Sequence, residues 1–321
     1  MKSKKYIFPL VASILLVAFT AYIILDTFVI IKEYEPSEPI NTWPPEESIT
    51  TSNPPESSPA PESESDTTEE TPTETPPEST EPEPEYPIIT KNSYIDENIS
   101  LVLETYRLFA TDIHVVDVKL SHPRFLKTAL AVGTETTSNL AVMNEGLLAV
   151  NGDFYSARSK GYVVRNGMIY RSVPDSGRDA LAIFSDGSME IVREDKTSLS
   201  SLMDRGAIHV LTFGPGLVEN GEVIFDPSNS KYKGISVKNP RTAIGIIDDL
   251  HYVFISVDGR TDDSAGLTLA ELAEVMVSLG VKTGYNLDGG GSATMYFMGK
   301  TINNPSDGSE RRVRDIVYIG Y

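Results

Sequence analysis

The chain has 321 residues, no cysteine and a formal net charge of −19. Without cysteine it carries no disulfide, zinc thiolate, thiol nucleophile or lipidated cysteine. Length alone suggests about two domains of ~150 residues, but the composition changes twice and divides the chain into three unlike parts.

Residues 1–32 read as a cytoplasmic stub and a transmembrane anchor. Ile7 to Leu25 are nineteen consecutive uncharged residues, enough at ~1.5 Å per residue to span roughly 30 Å of hydrocarbon. A cleaved signal peptide is the rival reading, but its apolar core is typically about 7–15 residues and ends in a small-residue cleavage site, which is not clean here. Lys2, Lys4 and Lys5 precede the apolar run, so the positive-inside rule keeps the N-terminus in the cytoplasm and sends the rest outside.

Residues 33–87 are almost entirely Pro, Glu, Ser and Thr, and Lys32 to Glu85 holds one lysine against sixteen acidic residues. Such a tract has too little apolar surface to offset the entropy of ordering it, and its prolines and like charges keep it extended. It reads as a disordered stalk, with a partner-binding tract as the alternative. After Glu85 the balance is 29 acidic against 23 basic residues. That leaves no basic surplus for a nucleic-acid backbone, and nucleic acid is excluded as a partner.

Residues 88–321 have the composition of a globular domain with a substantial core. Asn166-Gly167 lies between YVVR and MIYR, and Asp186-Gly187 between LAIF and MEIV; both are strong hairpin signals. Asp248-Asp249 marks a third hairpin between TAIGII and HYVFISV. Helices are expected near Glu135 to Asn144 and from Thr268 to Leu279, the latter with a Thr268/Glu271 capping box and Gly280 at C′. The fold class is α+β, with mixed strand-rich sheets and a few packed helices, preceded by the transmembrane helix and the stalk.

Several strand ends carry chemistry-bearing residues. In YNLDGGGSATMYF an apolar strand delivers Asp288 into Gly289, Gly290, Gly291 and Ser292. Successive glycines let backbone N–H groups converge on an anion, or simply form a tight bend. In FISVDGRTDD the strand presents Asp258 and Arg260; arginine grips phosphate bidentately, and aspartate serves as acid, base or metal ligand. Arg241 and Thr242 follow Asn239-Pro240 at a strand start. Asn151 and Asp153 follow LLAV, and FGPGLV (213–218) reads as a pocket wall.

The histidines 114, 122, 209 and 251 are scattered, without metal-ligand spacing. No Gly-x-Ser-x-Gly elbow supports a serine triad. Trp43, the single tryptophan, lies in the stalk, which leaves tyrosines and phenylalanines as sugar-stacking platforms in the domain.

Taken in order, NGDFY, FGPGLV, NPRTAIG, VDGR, the GLTLAELAEVMVSLG helix and NLDGGGSATM resemble the phosphodiester glycosidase family. The likeness runs from about residue 110 to the C-terminus and includes Asn304 ahead of PSDGSERRV. It implies hydrolysis of a sugar-1-phosphodiester; with the anchor and stalk, the expected protein is an extracellular, membrane-anchored hydrolase acting on envelope or exopolysaccharide glycans. It implies Asp288 and Asp258 as catalytic residues. Asn151, Arg241, Thr242, Arg260, Gly289, Gly290, Gly291, Ser292 and Asn304 would bind substrate and phosphate. Position 153 is often glycine in the family pattern, and either Arg311 or Arg312 matches its Glu-Arg-x-Val arginine. No cofactor is required, although hard oxygen ligands leave room for a divalent cation on Asp258, Asp262 or Asp288. Two other readings use the same residues: a metal-dependent phosphoesterase and a non-catalytic glycan-binding domain.

Overall fold

The computed structural model describes residues 86–321 apart from 227, 229–231 and 233–235. The expected anchor and stalk thus lie outside the described residues, save Tyr86 and Pro87. Among the described residues no helix is long and apolar enough to cross a membrane.

The described elements begin with a meander: β1 (Ile88–Ile89), β2 (Ser93–Ile95), β3 (Ile99–Leu108) and β4 (Thr111–Leu120). Next come β5 (Leu126–Glu135), α1 (Thr137–Met143) and β6 (Gly146–Asn151). The following group is β7 (Val163–Arg165), β8 (Met168–Arg171), β9 (Asp179–Phe184), β10 (Met189–Arg193), α2 (Leu199–Asp204) and β11 (Ala207–Leu211). Then follow β12 (Gly216–Glu219), β13 (Glu222–Val223), β14 (Arg241–Asp248), β15 (His251–Val257) and α3 (Leu269–Ser278). The chain closes with β16 (Thr283–Leu287), β17 (Met295–Phe297), β18 (Lys300–Thr301) and β19 (Val313–Gly320).

These strands form three sheets, ordered β1-β2-β3-β4-β15-β14-β16-β12-β13, β10-β9-β11-β7-β8, and β18-β17-β6-β19-β5. One face of the large sheet packs on the two smaller sheets through Val116, Ile244, Phe254, Tyr285, Leu181 and Val150. Its opposite face is covered by α3, whose Leu269, Leu272, Ala273 and Met276 meet Ala243, Val253, Ile255 and Val257. The outer faces of the smaller sheets are covered by α2 through Leu199 and Leu202 and by α1 through Leu140 and Ala141. Strict alternation along β15 makes this possible: Tyr252 and Phe254 face inward, while Val253, Ile255 and Val257 face the helix.

All three expected hairpins form, joining β7 to β8, β9 to β10 and β14 to β15. Asn166 and Gly167 both take positive φ, 51° and 77°, as a two-residue type I′ connection requires. Both expected helices form, and a third, α2, was not expected; its signal is Ser198, whose hydroxyl caps Ser201 N. The sheets are not mixed as expected: every described strand pairing is antiparallel. Parallel neighbours need a crossover of a dozen or more residues, and the crossover through α3 places β14 between β15 and β16 rather than pairing them.

That arrangement positions the site. Because β15 and β16 both run antiparallel to β14, their C-terminal ends emerge together on either side of its first residues, with Arg241 opposite Val257 and Thr242 opposite Leu287. Asp258 and Asp288, each one residue beyond, leave the same end of the sheet about 10 Å apart, two strand spacings.

The α3 cap is the most local of these determinants: Thr268 Oγ1 accepts from Glu271 N, and the Glu271 carboxylate accepts from Thr268 N. Thr268→Ala should lower the unfolding free energy by about 1 kcal/mol in urea titration, while Thr268→Ser should retain most of it; equal loss in both variants would count against the cap.

Candidate active site

Asp288 sits where β16 breaks into the glycine loop. Its N–H donates to Gly152 O at 3.2 Å, its carbonyl accepts from Asn151 Nδ2 at 2.6 Å, and its carboxylate accepts from Gly289 N at 3.0 Å. Burial pushes its carboxyl up, against the Ser292 hydroxyl, the Gly289 N–H and the nearby Arg311 and Arg158 charges. A carboxyl raised by burial and set beside cations is suited to proton transfer at a reacting centre.

Each glycine of the loop answers to a neighbour. A Cβ on Gly289 would lie 2.6 Å from Pro240 O, and one on Gly290, at φ +61°, would lie 3.1 Å from Arg260 Nη2. One on Gly291 would run into the Arg311 guanidinium and the Asp307 carboxylate. The loop therefore closes into a 3-10 turn over Gly290–Ser292. Several of its N–H groups are already engaged: Ser292 N donates to Gly289 O and Ala293 N to Gly290 O within the turn, and Gly290 N donates to Pro240 O. Of the two readings of the glycines, the loop follows the tight bend, with guanidinium groups packed on it.

Arg260 and Arg311 lie against the loop, and Arg158 acts on Asp288 electrostatically. Arg260, itself at φ +61°, is exposed and donates Nε and Nη2 to Asn239 Oδ1 at 3.1 and 2.9 Å. Arg311 pairs with Asp307 at 2.7 Å, whereas Arg312 turns away to Glu135 and Thr134. Arg311 is therefore the arginine at the site. Arg158 donates to Thr212 O at 2.9 Å and lies 4.9 Å over the Phe213 ring. FGPG is tied beside β16 by Phe213 N on Tyr285 Oη and by Asn286 Nδ2 on Gly214 O. Arg241 is pushed down to about 10 by burial and by Arg260; its Nε and Nη2 hold Leu267 O and Val237 O.

Asp258 is buried at the end of β15, where its Oδ1 accepts from Asn304 N at 2.8 Å and stands 3.6 Å from His114 Nε2. Asn304 itself is exposed. Asn151 and Thr242 are fully buried beneath the loop: Thr242 Oγ1 and Thr294 N both donate to Asn151 Oδ1. They tether the site instead of lining its surface. Asp262 is exposed on the loop after Arg260. Among the described residues no three His, Cys, Asp or Glu side chains gather as metal ligands, so Asp258, Asp262 and Asp288 do not form the cation site considered from sequence.

Asp153 belongs to a buried charge cluster that sequence reasoning missed. Arg165 Nη2 lies 2.9 Å from Asp153 and 2.8 Å from Asp315, and Arg165 Nη1 donates to Val210 O at 2.6 Å. Asp153 also accepts from Thr212 N at 2.6 Å and Tyr155 N at 3.0 Å. All three side chains are essentially solvent-free. This pins β7, β19 and the segment after β6 together under Arg158, so Asp153 is a support and not a reacting acid.

A profile of the phosphodiester glycosidase family matches residues 144–320. That segment is more than half of the chain, which therefore belongs to this family of glycosidases, hydrolases acting on glycosyl bonds. The SPbeta prophage-derived uncharacterized protein YomE of Bacillus subtilis is 31% identical over 195 residues, covering 58% of this chain and 30% of that protein. The mouse N-acetylglucosamine-1-phosphodiester alpha-N-acetylglucosaminidase is 28% identical over 194 residues, covering 54% of this chain and 36% of its own. The chain thus spans about a third of the length of these relatives. The catalytic domain of the zebrafish enzyme of that name, auto-inhibited by its pro-peptide, superposes with a TM-score of 0.57 at 19% identity, over 70% of this chain and 83% of that one. A hypothetical protein from Synechocystis gives 0.54 at 15% identity, over 70% and 62%. These two establish a shared fold.

In the charge cluster, burial and the neighbouring Asp153 push Asp315 up to about 7 against Arg165. Its ordinary value is 3.8, so between those two pH values the native state holds a proton that the unfolded chain has released. Stability is then greatest below the lower value and declines as pH rises through the upper one. Unfolding free energies measured from about pH 4 to pH 7 should show this decline, and Asp315→Asn should flatten it. An unchanged slope in the variant would assign the dependence to other groups.

Proposed function

We propose that this chain is an exported phosphodiester glycosidase that hydrolyses the C1–O–P linkage of a sugar-1-phosphodiester, releasing free sugar and a phosphomonoester. The observation that carries this reading is Asp288, a partly buried carboxyl raised above its ordinary range and set among Arg158, Arg260 and Arg311 on a glycine loop, within the family-matched segment.

Glycosidic cleavage builds positive charge at the anomeric carbon and negative charge on the departing phosphate. Arg260 and Arg311 hold phosphate oxygens and stabilise the leaving group. A phosphomonoester leaves readily, so phosphate binding is the larger demand, while Asp288 and Asp258 act at the sugar. Asn304 N–H orients Asp258 from one side. Asn151 and Thr242 keep Asp288 and the loop in place from below.

The relatives' names speak of N-acetylglucosamine-1-phosphodiesters, and a sugar-1-phosphate repeat of an envelope or exopolysaccharide glycan is the corresponding substrate here. The apolar run at 7–25 anchors the chain in the membrane with its N-terminus inside. The Pro/Glu/Ser/Thr-rich tract of residues 33–87 tethers the domain to that anchor.

The test is product analysis with the full-length chain on a panel of α- and β-linked sugar-1-phosphodiesters, with and without chelator. Equimolar sugar and phosphomonoester from one anomer, insensitive to chelator and lost in Asp288→Asn with unchanged thermal stability, is the expected outcome. A folded, fully active Asp288→Asn would refute the assignment. Chelator-sensitive cleavage regardless of the sugar would indicate a phosphoesterase, and saturable glycan binding without product a binding domain.

A further inference from the structure

The family match begins at residue 144, yet beyond β15 the large sheet continues into β4 and β3, which precede that residue. There His114 stands directly across from Ser256 of β15 and Thr105 of β3. It is 8% exposed. Its Nδ1 lies 3.0 Å from Thr105 Oγ1, and its Nε2 has no hydrogen-bond partner among the described residues. The nearest oppositely charged group is the Asp258 carboxylate, with Oδ1 3.6 Å away.

Leaving a buried imidazole nitrogen without a partner is costly, so its orientation calls for a reason. In the tautomer in which the Thr105 hydroxyl donates to Nδ1, the imidazole proton is on Nε2 and points at Asp258. The separation is about half an ångström longer than a hydrogen bond, and such contacts at catalytic sites often tighten only when substrate is bound.

His114 is also not an isolated polar residue in the core. Ser256 pairs in register with Thr242, whose hydroxyl donates to Asn151 Oδ1, which also accepts from Thr294 N. Ser256 Oγ and Thr294 Oγ1, both fully buried, likewise have no partner among the described residues. A polar seam thus runs from Thr105 through His114, Ser256, Thr242 and Asn151 to Thr294, immediately beneath Asp258 and the glycine loop. Buried polar groups in native proteins are ordinarily paired; within this seam His114 Nε2, Ser256 Oγ and Thr294 Oγ1 are not, and of the three it is His114 Nε2 that faces the Asp258 carboxylate.

We propose that His114 is a positioning residue for Asp258: held by Thr105, it aims Nε2–H at Oδ1 opposite the Asn304 N–H, so that β3 and β4 complete a site the family-matched segment leaves open on one side. The role assigned to Asp258 rests on the glycosidase reading, whereas the juxtaposition of the two side chains does not.

The two are tested separately on the full-length chain. With only four histidines in the sequence, long-range proton–nitrogen spectra of 15N-histidine-labelled protein will identify His114 by its loss in His114→Gln. The expected form is the Nε2–H tautomer, with its resonance shifted in Asp258→Asn. A protonated Nδ1 with bare Nε2, or no response to Asp258→Asn, would overturn the proposal whether or not the chain cleaves any substrate. In the sugar-1-phosphodiester assay, His114→Leu should lower kcat roughly 100-fold with KM little changed, the size of effect that follows a misplaced catalytic group. His114→Gln, which can still present an N–H, should recover most of that loss. Wild-type turnover in His114→Leu would contradict the positioning role, as would equal loss in both variants. Inactivity of the wild-type chain would count against the glycosidase reading alone.

Discussion

The carboxamide of Asn151 is the interaction on which the site depends. It is solvent-free at the end of β6, donates to the carbonyl of Asp288, and receives Thr242 from β14 and Thr294 from the segment before β17. One side chain thereby joins a small sheet to the large one at the end where Asp258 and Asp288 emerge. An amide can do this because it carries donors and acceptors at once; a carboxylate there would face the Asp288 carbonyl without a donor. The Arg165 cluster performs the corresponding task for the third sheet, binding Asp153 and Asp315 where all three side chains are buried from solvent.

A division of labour follows from this geometry. The residues that hold the site are buried and fully engaged, while the residues able to meet a ligand, Arg260, Asn304 and Arg311, are exposed around the more enclosed Asp288 and Asp258. Positive charge is supplied by arginine side chains more than by loop amides, since Gly289, Gly290, Ser292 and Ala293 N already donate to Asp288, Pro240, Gly289 and Gly290. Three successive glycines thus serve close packing against Pro240, Arg260 and Arg311, and the packing is what brings two guanidinium groups onto one loop.

Local features were legible in the sequence because their determinants are local. The Asn166-Gly167 turn, the Thr268/Glu271 capping box and the delivery of Asp288 into glycine each involve a few adjacent residues. That Asp258 and Asp288 each end a strand followed from two apolar runs terminating in Asp-Gly; that the two ends lie together follows only from their pairing with β14. What escaped was long-range. Arg165 sits in an apolar strand beside a hairpin turn, and nothing near it announces partners 150 residues away at Asp315. His114 lacks any motif, because its relation to Asp258 arises only when β4 pairs with β15. Asn151 and Thr242 were recognised as site residues, but a sequence does not distinguish a side chain on a pocket wall from one beneath its floor. The parallel pairing implied by mixed sheets failed for a topological reason, the insertion of β14 between β15 and β16.

The central claim is that water attacks the anomeric carbon and leaves the phosphate bonds intact. Hydrolysis in 18O-labelled water, followed by mass spectrometry of both products, decides it most directly. The account predicts the label at C1 of the released sugar and an unlabelled phosphomonoester. Label in the phosphomonoester would show attack at phosphorus and contradict a glycosidase mechanism at this site.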